Sequence, residues 1–215
     1  MVKDQRHTRR DYAASGLRRA DLDPDPLRQF ERWFEQAVQS GLQDATAMAL
    51  ATAGADGQPA VRIVLLKHFD ADGFCWYTDH RSDKGRELAE NPRASCLFHW
   101  RELERQVRIS GPVTRLGDAD AAAYFASRPA DSRFSAAAST QSAPVDSRDA
   151  MEAKVAELRQ RFPEGDVPKP ADWGGYRLTP TRFEFWQGRE GRLHDRFRYS
   201  TDPGGAAWRI ERLQP

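Results

Sequence analysis

Cysteine is scarce in this 215-residue chain, with Cys75 and Cys96 its only two. Two distant thiols, each in an apolar, strand-like run, form neither a metal pattern nor a disulfide framework; buried free thiols in a reducing compartment are expected. Long apolar runs are missing as well. None approaches the roughly 20 residues that cross a bilayer, and the N-terminal MVKDQRHTRRDY has no apolar signal core, so a soluble, cytoplasmic protein is expected. An excess of one charge is also absent. The 33 basic residues nearly cancel 32 acidic ones, for a formal net charge of +1, which argues against a protein held to nucleic acid by bulk charge. The basic side is lopsided, however: only 5 residues are lysine and 28 are arginine. Each arginine is therefore judged by its neighbours.

What is present has the punctuation of a mainly β domain. Residues 1–22 are charged, lack an apolar period and read as an arm that orders only against something else. Residues 23–215 fit a single domain. Asp25 can cap a helix, Pro26 suits its first turn, and Leu27, Phe30, Phe34 and Val38 recur at helical spacing until Gly41. Strands are expected at Met48–Ala53, Ala60–Lys67 and Phe74–Thr78, joined by turns at Asp56-Gly57 and Asp72-Gly73. A short helix at Lys84–Glu90 precedes strands at Ala94–Trp100 and Gln106–Leu116. Helices follow at Ala119–Ser127 and Asp149–Phe162, separated by a long Ser/Ala/Pro-rich loop over 129–147. The last strands are expected at Tyr176–Gln187, Arg192–Ser200 and Ala207–Leu213. The sum is a small antiparallel barrel carrying peripheral α-helices.

Several residue sets stand out. Read as a strand, Arg192 to Phe197 puts Arg192, His194 and Arg196 on one face. Three cationic or cationisable groups in a row repel one another unless they share an anion, and guanidinium groups match phosphate by paired hydrogen bonds. Arg62 to Lys67 (Arg62, Ile63, Val64, Leu65, Leu66, Lys67) is an apolar strand with a cation at each end. Strand parity sends the two cations to opposite faces, so they serve one site only if the strand bends or the ligand wraps its end. Tyr77-Thr78 ends the next strand just before Lys84 at a helix N-terminus, a plausible phosphate seat. Tyr124 and Arg128 share a helix face if the helix extends that far; Ser132 lies beyond Pro129. Nothing in the chain points to a metal site.

Ten segments in register resemble the pyridoxamine 5′-phosphate oxidase family. They are Arg9-Arg10-Asp11-Tyr12, Gly57-Gln58-Pro59, Arg62 to Lys67, Tyr77-Thr78, Leu103-Glu104-Arg105-Gln106-Val107 and Ser127-Arg128-Pro129. Gln141-Ser142, Trp173-Gly174-Gly175, Phe185-Trp186-Gln187-Gly188 and Arg192 to Phe197 complete the series. The resemblance implies an FMN-binding split β-barrel and a homodimer with one FMN per site at the subunit interface. It implies oxidation of pyridoxine 5′-phosphate or pyridoxamine 5′-phosphate to the aldehyde, with O2 reduced to hydrogen peroxide. Residues 62 to 67, Tyr77, Thr78, Lys84, Gln106, Gln141, Ser142, Trp186 and Arg196 would hold FMN. Arg9, Arg10, Asp11, Tyr12, Lys67, Tyr124, Arg128, Ser132, Arg192, Leu193 and His194 would bind substrate. Arg192 and His194 would face the reacting carbon, Arg192 stabilising charge and His194 holding or moving a proton. At one point the chain departs from the family: Asp83-Lys84 stands where Arg-Lys is common, which adds negative charge beside the expected FMN phosphate. Two other readings remain open, a different flavin oxidoreductase on the same barrel and a non-catalytic protein that binds FMN or pyridoxal phosphate.

Overall fold

Asp25 starts the first long element as expected: its carboxylate accepts the amide of Leu27 at 2.9 Å, and Pro26 takes the first helical position, where no N–H is needed. The computed structural model describes residues 12, 16–201 and 207–215. Its helices are α1 (Pro26–Gln39), α2 (Asp83–Glu90), α3 (Asp118–Ser127), α4 (Ala130–Ala138) and α5 (Arg148–Arg161). Strands β1 (Ala47–Ala53), β2 (Pro59–Leu65), β3 (His68–Asp70), β4 (Gly73–Asp79) and β5 (Arg93–Trp100) precede β6 (Arg105–Arg115). After the helical segment come β7 (Trp173–Leu178), β8 (Arg182–Gln187), β9 (Asp195–Thr201) and β10 (Trp208–Leu213). The hydrogen-bonded strand order is β10-β9-β8-β6-β5-β1-β2, with β7 pairing both β6 and β4, and β3 on β4.

The described residues fall into two compact units. The first comprises residues up to 48, 96–109 and 181–215. In it β8, β9 and β10 form an antiparallel meander that sets Phe185 opposite Phe197 and Trp186 opposite Arg196. Helix α1 buries Phe30, Trp33 and Ala37, with Trp33 edge-on to Phe185 at 5.3 Å and Phe30 5.0 Å from Phe98. Val38, placed on the apolar stripe by its spacing, instead faces solvent. Residues 16–22 dock on this unit: Leu17 and Leu22 are buried, and the Leu17 amide donates to Asp195 at 3.0 Å. Arg9, Arg10 and Asp11 lie outside the described residues.

The second unit comprises 49–95 and 110–180. Here β3, β4, β7 and the end of β6 pair antiparallel, setting Trp76 opposite Tyr176 and Thr78 opposite Gly174. Phe125, Phe134, Val167 and Trp173 form a buried cluster beneath α3, α4 and α5.

Three expectations are corrected. The stretch 129–147 is not all loop: Ala130–Ala138 is helical, because its alanines favour helix and Pro129 sits just ahead of the first turn. The strand expected over 176–187 is two, broken at Thr179–Pro180, where the Thr179 amide turns to the Pro112 carbonyl at 2.9 Å. The last change bears on function. Residues 190–192 form a 3-10 turn, with Gly191 and Arg192 both left-handed (φ 62° and 65°), so β9 starts only at Asp195. Strand alternation therefore does not align Arg192, His194 and Arg196. Both cysteines are free and buried, and the Cys96 thiol is pushed up to about 12 by burial.

Candidate active site

The second unit contains a cavity of about 1010 Å³. Arg62, Ile63, Val64, Leu65 and Lys67 reach it from β2 and the residues after it. Tyr77 and Thr78 come from the end of β4, and Lys84 from the first turn of α2. Tyr124, Arg128 and Ser132 come from α3, α4 and their junction, with Gln141 and Ser142 from the following loop. The parity problem of Arg62 and Lys67 resolves because β2 ends at Leu65 and the Lys67 amide swings to the Cys75 carbonyl at 2.9 Å. Both cations then line one cavity. Leu66, by contrast, is buried and does not line it.

At one place Lys84, Thr78 and Gln141 converge. The Lys84 ammonium donates to Gln141 Oε1 at 2.7 Å and to Thr78 Oγ1 and Ser82 Oγ at 3.1 Å each. The Thr78 hydroxyl donates to the same Gln141 oxygen at 2.7 Å. All these partners are neutral. Burial and, secondarily, the Arg62 charge lower the Lys84 pKa, so the charged form here is held at a cost that an anion would offset. Ser142, left-handed at φ 69°, accepts the amide of Asp83 at 3.3 Å. The Asp83 carboxylate pairs with Arg86, which partly offsets the negative charge that sets this chain apart from the family. Arg62 is anchored by Glu87 at 3.0 Å and by Thr52.

Elsewhere in the cavity the wall is aromatic. Tyr77 stacks on Tyr124 at 4.0 Å and nearly parallel to Trp173 at 5.5 Å. Arg128 lies over the Trp173 ring, its guanidinium carbon 4.9 Å from the centroid. One of its terminal nitrogens, Nη1, is buried without a hydrogen-bond partner. Trp173, Ser82 and Glu87 were not singled out as site residues from the sequence. Only Trp173 carried a signal, as the first residue of a Trp-Gly-Gly segment.

The first unit gathers the remaining set. Trp186, His194 and Tyr12 form a triangle of rings, with centroids 4.7 Å (Trp186–His194), 5.0 Å (Tyr12–His194) and 5.7 Å (Tyr12–Trp186) apart. The Arg192 guanidinium lies 5.8 Å from the Tyr12 ring. His194 Nδ1 accepts the Arg189 amide at 3.1 Å, so the neutral ring carries its proton on Nε2. Burial and then the Arg192 charge lower the His194 pKa. Leu193 is exposed and Gln106 half-buried on β6. Arg196 is already paired, with Glu184 at 2.8 Å and the Gln214 carbonyl at 2.9 Å.

A mainly β fold with a large cavity, one lysine-centred and one arginine-centred donor set, defines a split-barrel protein suited to phosphate-bearing ligands. Comparison with known proteins narrows this. Residues 34–162 match the pyridoxamine 5′-phosphate oxidase family model, and residues 173–215 match the pyridoxine 5′-phosphate oxidase C-terminal dimerisation region. The chain is 54% identical to a pyridoxine/pyridoxamine 5′-phosphate oxidase of Cupriavidus metallidurans, covering 96% of this chain and 97% of that one. It is 51% identical to the protein of that name from Rubrobacter xylanophilus, over 99% and 97%. Among solved structures, PhzG from Burkholderia lata, in complex with tetrahydrophenazine-1-carboxylic acid, superposes with a TM-score of 0.88 at 34% identity, covering 94% of this chain and 99% of that one. An FMN-binding, pyridoxamine 5′-phosphate oxidase-related protein from Nostoc punctiforme shares the fold, with a TM-score of 0.71 at 18% identity over 90% and 100%. The chain belongs to the pyridoxamine 5′-phosphate oxidase family.

Proposed function

We propose that this chain oxidises pyridoxine 5′-phosphate and pyridoxamine 5′-phosphate to pyridoxal 5′-phosphate, using FMN and reducing O2 to hydrogen peroxide. The observation that carries the reading is the single cavity that holds two phosphate-suited donor sets, Lys84–Thr78–Gln141–Ser142 and Tyr124–Arg128–Ser132. The first fits the FMN phosphate: a buried ammonium bonded only to neutral oxygens is unneutralised until an anion arrives. The second, with its unpartnered buried Arg128 nitrogen, fits the substrate phosphate. When bound, FMN supplies the hydride acceptor and the route of electrons to O2.

The protein supplies position and charge. Arg62, Ile63, Val64, Leu65 and Lys67 line the flavin from β2 and the residues after it, with Lys67 also meeting the substrate. Gln106 and Arg196 contribute further polar contacts, and Trp186 gives an apolar face that excludes water. Arg192 holds the exocyclic alcohol or amine of the substrate, Leu193 flanks it, and neutral His194, whose Nδ1 is taken by the Arg189 amide, holds its proton on Nε2 and offers it to that group. Arg9, Arg10, Asp11 and Tyr12 contribute to substrate binding, and residues 23–215 work as one FMN-binding domain in the cytoplasm. The family match to a dimerisation region supports a homodimer with the site at the subunit interface. So does the exposed apolar stripe of Val61, Ile63 and Leu65 along β2.

The test is to add pyridoxine 5′-phosphate to the FMN-loaded protein without oxygen. Bleaching of the flavin absorption, reversed by air with pyridoxal 5′-phosphate formed, is expected. A flavin that stays yellow would reject the oxidase reading in favour of a binding role or another substrate.

A further inference from the structure

We infer that Trp173 is a positioning residue for the substrate phosphate, acting through Arg128. The inference rests on the function proposed above. Arg128 ends α3, its amide bonded to the Phe125 carbonyl at 3.2 Å and its backbone extended (φ −74°, ψ 149°), as a residue before proline requires. The main chain therefore fixes where the side chain starts. Its guanidinium then lies over two aromatic faces, Trp173 at 4.9 Å and Phe125 at 5.7 Å.

Many of the arginines are held by carboxylates instead. Arg62 is paired with Glu87, Arg196 with Glu184, Arg81 with Asp79, and Arg177 with Asp70 and Asp72. Among the described residues, no carboxylate forms an ion pair with Arg128. A carboxylate would hold the guanidinium but occupy the N–H edge that must meet a phosphate. An indole face attracts the cation through its quadrupole and leaves the N–H groups unoccupied. The buried, unpartnered Nη1 is the visible result. An unsatisfied buried donor is costly, and a phosphate oxygen arriving in the cavity would relieve that cost.

Trp173 is held firmly enough to serve. Its amide donates to the Pro170 carbonyl at 3.0 Å, and its own carbonyl accepts from Lys169 Nζ at 3.1 Å. Its ring meets Phe125 edge-on at 5.0 Å and lies nearly parallel to Tyr77. The same ring is 7% exposed and belongs to the α3–α4–α5 core, so a packing role must be separated from a positioning one.

The separation uses the phosphate itself. In FMN-loaded protein, Trp173→Leu is expected to raise KM for pyridoxine 5′-phosphate about fivefold, the loss of one partly buried cation–π contact. Turnover should stay within about twofold, the magnitude expected when a uniform binding contact is removed. KM for unphosphorylated pyridoxine should not move. Pyridoxal 5′-phosphate binding, read by difference absorption without turnover, should weaken by the same factor, and pyridoxal binding should not. In an Arg128→Ala background the Trp173 effect should vanish. Equal losses on phosphorylated and unphosphorylated ligands, or an undiminished effect without Arg128, would reduce Trp173 to packing. Should the leucine variant fail to fold, Trp173→Phe keeps a weaker face, and an unchanged KM there would equally overturn the inference. If Arg128→Ala alone leaves the phosphate preference intact, the assignment of the substrate phosphate to this cavity falls instead.

Discussion

The Lys84 ammonium lies 2.7 Å from the Gln141 amide oxygen, and both groups bond the Thr78 hydroxyl, so three residues spread over 64 positions of chain close into one small polar ring. A buried lysine with a lowered pKa stabilises the fold poorly. Lys84→Met is expected to leave the melting temperature of the cofactor-free protein unchanged or higher while weakening FMN binding about tenfold or more. Fluorescence titration with FMN and a thermal melt on the same sample check both halves. A variant that binds FMN normally would take Lys84 out of the cofactor site.

Arg192 is set differently. It does not line the Lys84–Arg128 cavity but stands over Tyr12, beside His194. Arg192→Ala should lower turnover by roughly tenfold to a hundredfold, the value of one charge-assisted hydrogen bond in the transition state. FMN retention after gel filtration should be unchanged. Retained turnover with lost flavin would reverse its assigned role.

His194 makes the pH dependence specific. Its pKa sits below the ordinary 6.5 because burial and then the Arg192 charge disfavour the imidazolium. Protonation would also place a hydrogen on Nδ1, which now accepts the Arg189 amide. The ring is therefore neutral at pH 7, and kcat/KM should fall only as pH drops through a value below 6.5. Removing the Arg192 charge relieves one of the two causes, so in Arg192→Ala this acidic limb should move to higher pH. A limb that stays put, or moves lower, would show that another group titrates.

Gly188 borders Tyr12 closely. A Cβ at that position would stand 2.4 Å from Tyr12 Cδ1 and 3.0 Å from the Glu104 Cβ. Gly188→Ala should displace the tyrosine and raise substrate KM several-fold, with FMN affinity unaltered. The effect should disappear in a Tyr12→Ala background, since residues in contact do not add. Persistence there would trace the damage to Glu104 instead.

The parts of the site that the sequence made legible were those with local chemistry. Lys84 after Tyr77-Thr78, and the Tyr124–Arg128–Ser132 spacing, point to residues that do line one cavity. Long-range partners were not legible: nothing within α2 announces that Glu87 will anchor Arg62. Alternation misled at Arg192 because one left-handed glycine and one left-handed arginine interrupt the strand, a break that period-two spacing does not reveal. The long loop misled for the opposite reason. Its serines and prolines outweighed a run of alanines that forms α4.

An enzyme that releases hydrogen peroxide at its own active site exposes itself to oxidation at every turnover. Peroxide attacks thiolates rather than thiols. Burial raises the pKa of Cys75, and Cys96 is pushed up to about 12, so at neutral pH neither presents an appreciable anion. Met48 is fully enclosed, leaving Met151, 45% exposed on α5, as the sulfur most open to attack among the described residues. The scarcity of cysteine thus doubles as protection: among the described residues, the two thiols are withheld from the oxidant the chain makes, and only the Met151 thioether stands exposed to it.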